Sequence, residues 1–234
     1  MIRKVWKRFS RFWEQDRGLT VFLVLLVVGL FIAPVVIHQR PIARFVGDVL
    51  FTLLLVTGAW AVSRRRAVAI VVSLSAAAAL LVRWTARFAP LLDLSVGTAV
   101  SSLVTLVLLA SIVLARVFQR GRITRQRIEG AVAAYLLLGL IWAEAYELVA
   151  LFRPGAFAGT GAGPGTAQDF VFFSFTTLTT VGYGDITPVA PAARSLANLE
   201  SLVGQLYPAI LLARLVSLEA SWSFRERPGG DDPS

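Results

Sequence analysis

Apolar residues gather into six long blocks, at positions 19–38, 46–63, 67–82, 94–115, 131–152 and 193–218, separated by short connections that carry arginines. About 17–25 mainly apolar residues cross the hydrocarbon core of a bilayer as a helix, so each block reads as a span, the third being the shortest. Ahead of the first block, Ile2, Val5, Trp6, Phe9, Phe12 and Trp13 recur at helical spacing, with Arg3, Lys4, Lys7, Arg8 and Arg11 falling largely between them. That alternation predicts an amphipathic helix over residues 1–18 lying in the membrane interface, either binding anionic lipid or serving as a basic anchor that fixes topology. Between the fifth and sixth blocks the pattern breaks. A glycine-rich stretch at 155–165 leads into Thr166-Ala167-Gln168-Asp169, a helix start of capping-box form, and then an apolar run from Phe170 to Leu178. This run is too short to span and long enough to enter the membrane and turn back.

Composition agrees with the pattern. The 234 residues are 56% hydrophobic and 16% charged, with a mean hydropathy of +0.71. A soluble domain is about 45–50% apolar and about 25% charged, so this chain cannot hide its apolar surface in a water-soluble core. The net charge of +9 raises nucleic acid as a partner, but the intervening spans keep the basic residues off any common soluble face. Placing the N-terminus in the cytoplasm instead collects most of them on one side, among them Arg64, Arg65, Arg66, Arg116, Arg120 and Arg214, as the positive-inside rule requires. Both termini are then cytoplasmic, and the plasma membrane, a bacterial inner membrane, is the expected setting. With no Cys and one His, His38, thiol chemistry, disulfides and multi-His metal sites are excluded, and no nucleophile, base or metal constellation for an enzyme can be assembled. The missing Cys says nothing about redox compartment.

The chemistry concentrates after Leu178, in Thr179-Thr180-Val181-Gly182-Tyr183-Gly184-Asp185. Non-helical backbone at membrane depth is tolerated only inside protein or along a watery path, so this stretch should face a pore. A dehydrated cation needs rings of oxygen ligands that replace its water shell, and backbone carbonyls can supply them. Aiming successive carbonyls at one axis takes unusual backbone angles, which Gly182 and Gly184 adopt without a Cβ penalty. Thr180 adds a hydroxyl at the inner end. Val181 and Tyr183 should turn their side chains outward into the surrounding wall, and Asp185 sets a carboxylate at the outer mouth.

On these residues the stretch at about 131–218 resembles the pore domain of the potassium-channel family, whose plan is outer helix, re-entrant pore helix, Thr-Val-Gly-Tyr-Gly filter and inner helix. The resemblance implies an all-α membrane protein of six transmembrane helices plus a pore helix and selectivity-filter loop, with K+ held by Thr180, Val181, Gly182 and Tyr183 through backbone carbonyls and the threonine hydroxyl. K+ is the permeant ion and no cofactor is implied. The family's filter takes four loops and this chain has one, which implies a homotetramer. Gly204 stands where many relatives have a hinge glycine, with Pro208 one turn on. The pair reads equally as a gate or as close packing with a static kink. Gln205, by register, faces the cavity below the filter. Where many relatives carry paired tryptophans, this chain has Phe172 and Phe173, which can pack around Tyr183 but donate no hydrogen bond, so the cuff around the filter is expected to be looser.

Three carboxylates fall inside spans. Glu144 and Glu147 lie toward the outer end of the fifth, and Glu200 one turn before Gly204. Each needs a partner or water, since an intramembrane charge costs about 2.5–3.5 kcal/mol on insertion scales. Ala143-Glu144-Ala145 resembles an outer-helix element of voltage-gated relatives that braces the pore. Thr176 or Thr177 could satisfy Glu200, or Glu200 titrates and biases the gate. The first four spans match a voltage-sensor domain in number but not in chemistry: positions 94–115 hold no Arg or Lys, and Asp48 and Asp93 read as boundary residues. The division expected is 1–18 as N-terminal helix, 19–128 as a four-span domain, 129–220 as the pore domain and 221–234 as a disordered tail with no regulatory domain attached. The first reading is a potassium-selective channel without a voltage sensor. The alternative is a potassium transporter or transporter subunit with a related pore loop, though such chains usually carry four degenerate loops.

Overall fold

The computed structural model describes residues 18–36, 40–62, 66–89, 91, 93–119, 124–160 and 165–225. The expected interfacial helix at 1–17, His38, Arg64, Arg65, Arg120, part of the glycine-rich stretch and the tail beyond Arg225 lie outside them. The first block is one helical rod, made of α1 (Gly18–Val27), a π-helical turn (Val28–Ile32) and α2 (Ala33–Val36). Then come α3 (Arg40–Val62), α4 (Arg66–Phe88), α5 (Ser95–Val117) and α6 (Arg125–Phe152). A short ribbon strand β1 (Phe157–Ala158), the pore helix α7 (Ala167–Leu178), strand β2 (Thr187–Pro188) and the long α8 (Pro191–Arg225) complete the order. Among the described residues four helices are long and apolar enough to cross a membrane, namely Ile70–Phe88, Ser95–Val117, Arg125–Phe152 and Pro191–Arg214, and two shorter apolar helices accompany them.

The helices assemble around a core in which Phe22 and Leu26 of α1, Leu55 of α3, Val72 and Ala79 of α4, Leu106 and Leu109 of α5 and Leu137 of α6 are buried. Gly58 makes the closest approach possible: a Cβ there would lie 2.7 Å from the Leu109 side chain and 3.0 Å from the Phe22 ring. At the start of α6, Glu129 accepts from Thr20 Oγ1 at 2.6 Å and pairs with Arg125 Nε at 2.9 Å, tying the first rod to the outer pore helix. Around this core, Leu74, Leu81, Val104 and Leu212 are exposed. In water such cladding would be a liability, whereas against lipid tails it costs nothing.

Four expected boundaries move, the first being the start of the second block, which begins six residues early at Arg40. The third block, expected to stop near Val82, continues as helix through Arg83 and Arg87 to Phe88. Asp48 explains the extension. Rather than an idle boundary residue, it takes Arg83 Nε at 2.7 Å and Arg87 Nη1 at 3.5 Å from α4, so the two guanidiniums are carried into the bundle with a counter-charge. Arg83 also lies over the Phe51 ring, 4.6 Å from its centroid, and Arg87 over Phe45 at 5.6 Å. At the other end of the chain, α8 runs on to Arg225, past both the expected span end at 218 and the expected tail start at 221. The fifth block begins six residues early, at Arg125, where the bonds of Arg125 and Thr20 to Glu129 hold the first turn.

Replacing Asp48 by Asn removes the shared counter-charge of two guanidiniums whose side chains are only 23% and 29% exposed. A charged hydrogen bond lost at a largely buried site costs about 1–3 kcal/mol, so Asp48→Asn is expected to lower the thermal midpoint of the detergent-solubilised protein by several degrees in a fluorescence-detected melt. An unchanged midpoint would mean that the ion pair contributes nothing to packing α3 on α4.

Candidate ion-conduction site

The pore helix starts as its sequence requires. Thr166 Oγ1 accepts the Asp169 N–H at 3.3 Å while Asp169 Oδ2 accepts the Thr166 N–H at 2.7 Å, the two halves of a capping box. Its other end produces the functional geometry. Instead of continuing the helix, the chain turns at Thr180, whose φ is +59°, and then passes through Gly182 at +60° and Gly184 at +87°. The two glycines were expected in the left-handed region; the threonine was not. A β-branched residue there is rare and costs about 1–3 kcal/mol, so the surroundings must hold it.

Backbone hydrogen bonds do the holding. Thr180 N–H donates to Thr177 O at 3.0 Å, and Val181 and Gly182 N–H both donate to Thr176 O, at 2.8 and 3.2 Å. The carbonyls left open at the helix end are thereby used, and three successive N–H groups of the filter point back into α7. Because a trans peptide sets each C=O opposite its N–H, the carbonyls of Thr179, Thr180 and Val181 face away from α7, and positive φ recurs at every second position of the exposed segment, at 180, 182 and 184. Gln205 Nε2 of α8 donates to Thr180 Oγ1 at 2.9 Å, so Gln205 sits beside the start of the segment. Among the described residues no three His, Cys, Asp or Glu side chains come together to hold a metal. The oxygen ligands on offer are those of the backbone and Thr180.

The side chains around the segment divide differently from expectation. Phe172 stacks flat on Tyr183, ring centroids 6.1 Å apart at 5°. Phe173 does not join the cuff. It is buried on the other face of α7, 4.8 Å from the Tyr146 ring and 5.5 Å from Phe157, because consecutive helical residues point about 100° apart. Val181 and Tyr183 are 53% and 69% exposed in one chain, and Asp185 is exposed beyond them.

Glu200 is fully buried where three helices meet. Its Oε2 accepts from the Tyr146 hydroxyl of α6, and its Oε1 lies 2.6 Å from Ser174 Oγ of α7, which also reaches Gly139 O at 2.7 Å. The expected partners were Thr176 and Thr177. Thr176 instead bonds its own helix, Oγ1 to Phe173 O at 2.9 Å, and the carbonyl of Thr177 receives the filter turn. Ser174 and Tyr146 are thus the site residues that sequence reasoning missed; Ser174 lies one turn before Leu178 on the face of α7 away from the filter, which is the signal that could have found it. Glu144 and Glu147 are half-buried on α6. Gly204 packs directly on the end of the pore helix: a Cβ there would overlap Leu178 O and come within 2.9 Å of its carbonyl carbon. Pro208 lies inside continuous α8 and withholds the bond that the Gly204 carbonyl would accept. Tyr135 of α6 donates to the same Leu178 O at 3.3 Å, and its ring stands 5.6 Å from that of Tyr207.

Removing the Glu200 carboxylate strands the buried Tyr146 hydroxyl, at about 1–3 kcal/mol, while Ser174 Oγ keeps the Gly139 carbonyl as acceptor. Glu200→Ala is expected to destabilise the purified protein by a large margin in a detergent melt, whereas Glu200→Gln keeps an acceptor for Tyr146 and retains most of the stability. Equal melting of the two variants would show that the hydrogen bonds at Glu200 do not hold the three helices together.

Residues 132–220 match the family model described as "Ion channel". Over 84 residues the chain is 36% identical to two pore potassium channel c of Oryza sativa subsp. japonica, a match covering 36% of this chain and 17% of that protein. Over 76 residues it is 36% identical to the inward rectifier potassium channel Kirbac3.1 of Paramagnetospirillum magnetotacticum, covering 31% and 22%. Over 87 residues it is 33% identical to protein LctB of Bacillus caldotenax, covering 35% and 64%. The chain therefore spans less than two thirds of the length of each of these relatives. No solved structure matches it significantly. The matched stretch begins in α6, takes in the pore helix and the 180–184 turn and ends in α8, the same elements that build the site; in this region the chain is similar to ion channels, two of them potassium channels by name.

Proposed function

We propose that this protein is a potassium-selective channel in which four copies bring their 180–184 segments around one axis and K+ crosses passively between them. The observation that carries the reading is the sign-alternating backbone at Thr180, Gly182 and Gly184, with the N–H groups of 180, 181 and 182 bonded back to α7. Carbonyls turned to one side of an exposed strand form a ligand row, and four such rows make the oxygen cage that replaces a potassium ion's hydration shell. A single chain leaves Val181, Tyr183, Leu199, Leu202 and Leu206 exposed on the pore side, an apolar surface that a closed ring of copies would cover. The names of the relatives support potassium as the ion. Gly204 and Pro208 together are the proposed flexure of the inner helix, and the six apolar helices with arginine-rich inner connections support six spans with both termini in the cytoplasm.

Purified protein in liposomes is expected to pass K+ at least about tenfold faster than Na+. Gly182→Ala should abolish that selective flux, because a Cβ at φ +60° costs about 1–2 kcal/mol in every subunit and distorts the ligand row. Equal K+ and Na+ flux through the wild-type protein would contradict the proposal.

Opening is expected to lack steep voltage dependence. One elementary charge crossing the field yields about 2.3 kcal/mol per 100 mV, and steep gating needs several such charges per subunit. Helix α5 has its first basic residue at Arg116, in its last turn, while Arg83 and Arg87 of α4 are committed to Asp48. A conductance–voltage curve in symmetrical potassium from planar bilayers checks this; an effective gating charge of several units that survives Arg116→Gln would overturn it.

A further inference from the structure

Phe172 offers Tyr183 a stacking face and no hydrogen-bond donor, yet the chain beyond the filter is fastened by the outer ribbon. Strands β1 and β2 pair antiparallel, Phe157 against Pro188 and Ala158 against Thr187. Ala156 O accepts the N–H groups of Val189 and Ala190 at 2.8 and 3.1 Å, and Arg194 Nε donates to Pro188 O at 3.1 Å. The ribbon is rooted in the pore core, since Phe157 is 7% exposed and its ring stands 5.3 Å from Phe170 and 5.6 Å from Tyr146. The next residue along the ribbon after Ala158 is Gly159, with φ +89°. Its α-carbon rests on the backbone just past the filter: a Cβ there would overlap the carbonyl oxygen of Asp185 and stand 2.9 Å from its carbonyl carbon and 3.1 Å from Ile186 Cα. These are backbone atoms, so no change of rotamer could make room.

We propose that Gly159, carried on a ribbon rooted by Phe157, is a positioning residue that fixes the backbone of Asp185 and through it the outermost carbonyl of the filter. The Asp185 carbonyl that Gly159 touches is separated by one α-carbon from the peptide plane that carries the Gly184 oxygen, so a shift of Asp185 reaches that oxygen through a single Cα. Contact from the ribbon takes the place of donors from a pore-helix cuff. The inference rests on the reading of 180–184 as the filter, and its consequence is specific: crowding Gly159 degrades ion discrimination and leaves the helix bundle intact.

Gly155 supplies the control. It lies in the same outer connection, also has a left-handed φ of +81°, and a Cβ there would meet nothing within 4 Å. Gly155→Ala and Gly159→Ala therefore share the backbone strain, and only the second pushes on Asp185. In liposomes containing the full-length protein, the K+-to-Na+ flux ratio of Gly155→Ala is expected to match wild type and that of Gly159→Ala to fall by about tenfold, toward the value of an unselective pore. A wild-type ratio in Gly159→Ala, or equal losses in both variants, overturns the proposal. If Gly159→Ala fails to assemble by size-exclusion chromatography, Phe157→Leu decides, since it loosens the root without crowding Gly159. A lowered ratio in Phe157→Leu supports the positioning role, and an unchanged one overturns it. A wild-type protein that does not discriminate K+ from Na+ would instead contradict the channel reading beneath it.

Discussion

The carbonyl of Thr176 accepts two consecutive N–H groups, those of Val181 and Gly182, and much of the pore domain follows from that arrangement. Inside a bilayer every backbone donor and acceptor must find a partner within the protein or along water. Here the donors of the filter turn are spent on the last carbonyls of α7, so the carbonyls of the same peptides, 179 to 181, face the other way. A row of such acceptors is suited to a cation that has shed its water. The geometry requires a left-handed Thr180, whose cost is met by the two-sided hold of α7 behind it and Gln205 beneath it. Function here is a problem in backbone accounting before it is one of side chains.

Because α7 is short, its position is set by what it touches. Glu200 of α8 and Tyr146 of α6 converge with Ser174 in one buried cluster, and Gly204 brings α8 against the last carbonyl of α7. A movement of the inner helix is thus felt at Leu178, two residues from Thr180. The inner end of α8 is fastened as well: Arg214 donates to the carbonyl of Phe118, just after α5, and lies over that residue's ring. These contacts join the four-span block to the pore domain. At the outer end, Arg83 and Arg87 of α4 are tied to Asp48 of α3.

Much of this was legible in the sequence because the signals are local. Hydropathy marks the spans, the Thr166–Asp169 pair marks the start of the pore helix, and Gly182 and Gly184 announce left-handed backbone. What escaped depends on contacts far apart in the chain. The Asp48–Arg83 pair joins residues 35 positions apart, and without it the arginines end the span on hydropathy alone. Ser174 and Tyr146 could not be chosen over Thr176 and Thr177 as partners of Glu200 until the facing sides of three helices were known. The left-handed Thr180 had no sequence signal, since its residue type disfavours the conformation. The same holds for Gly159, which looks like one more glycine in a flexible connection until the return of β2 places Asp185 against it.

The central claim is that the exposed carbonyl row of 180–184 is one quarter of an ion path. Single-particle reconstruction of the purified protein in lipid nanodiscs with potassium tests it most directly. The account predicts fourfold symmetry, with the 180–184 segments of four copies facing one axis and a file of ion density between their carbonyls. A particle without fourfold symmetry, or one in which these segments face lipid or one another's side chains with no axial density, would contradict it.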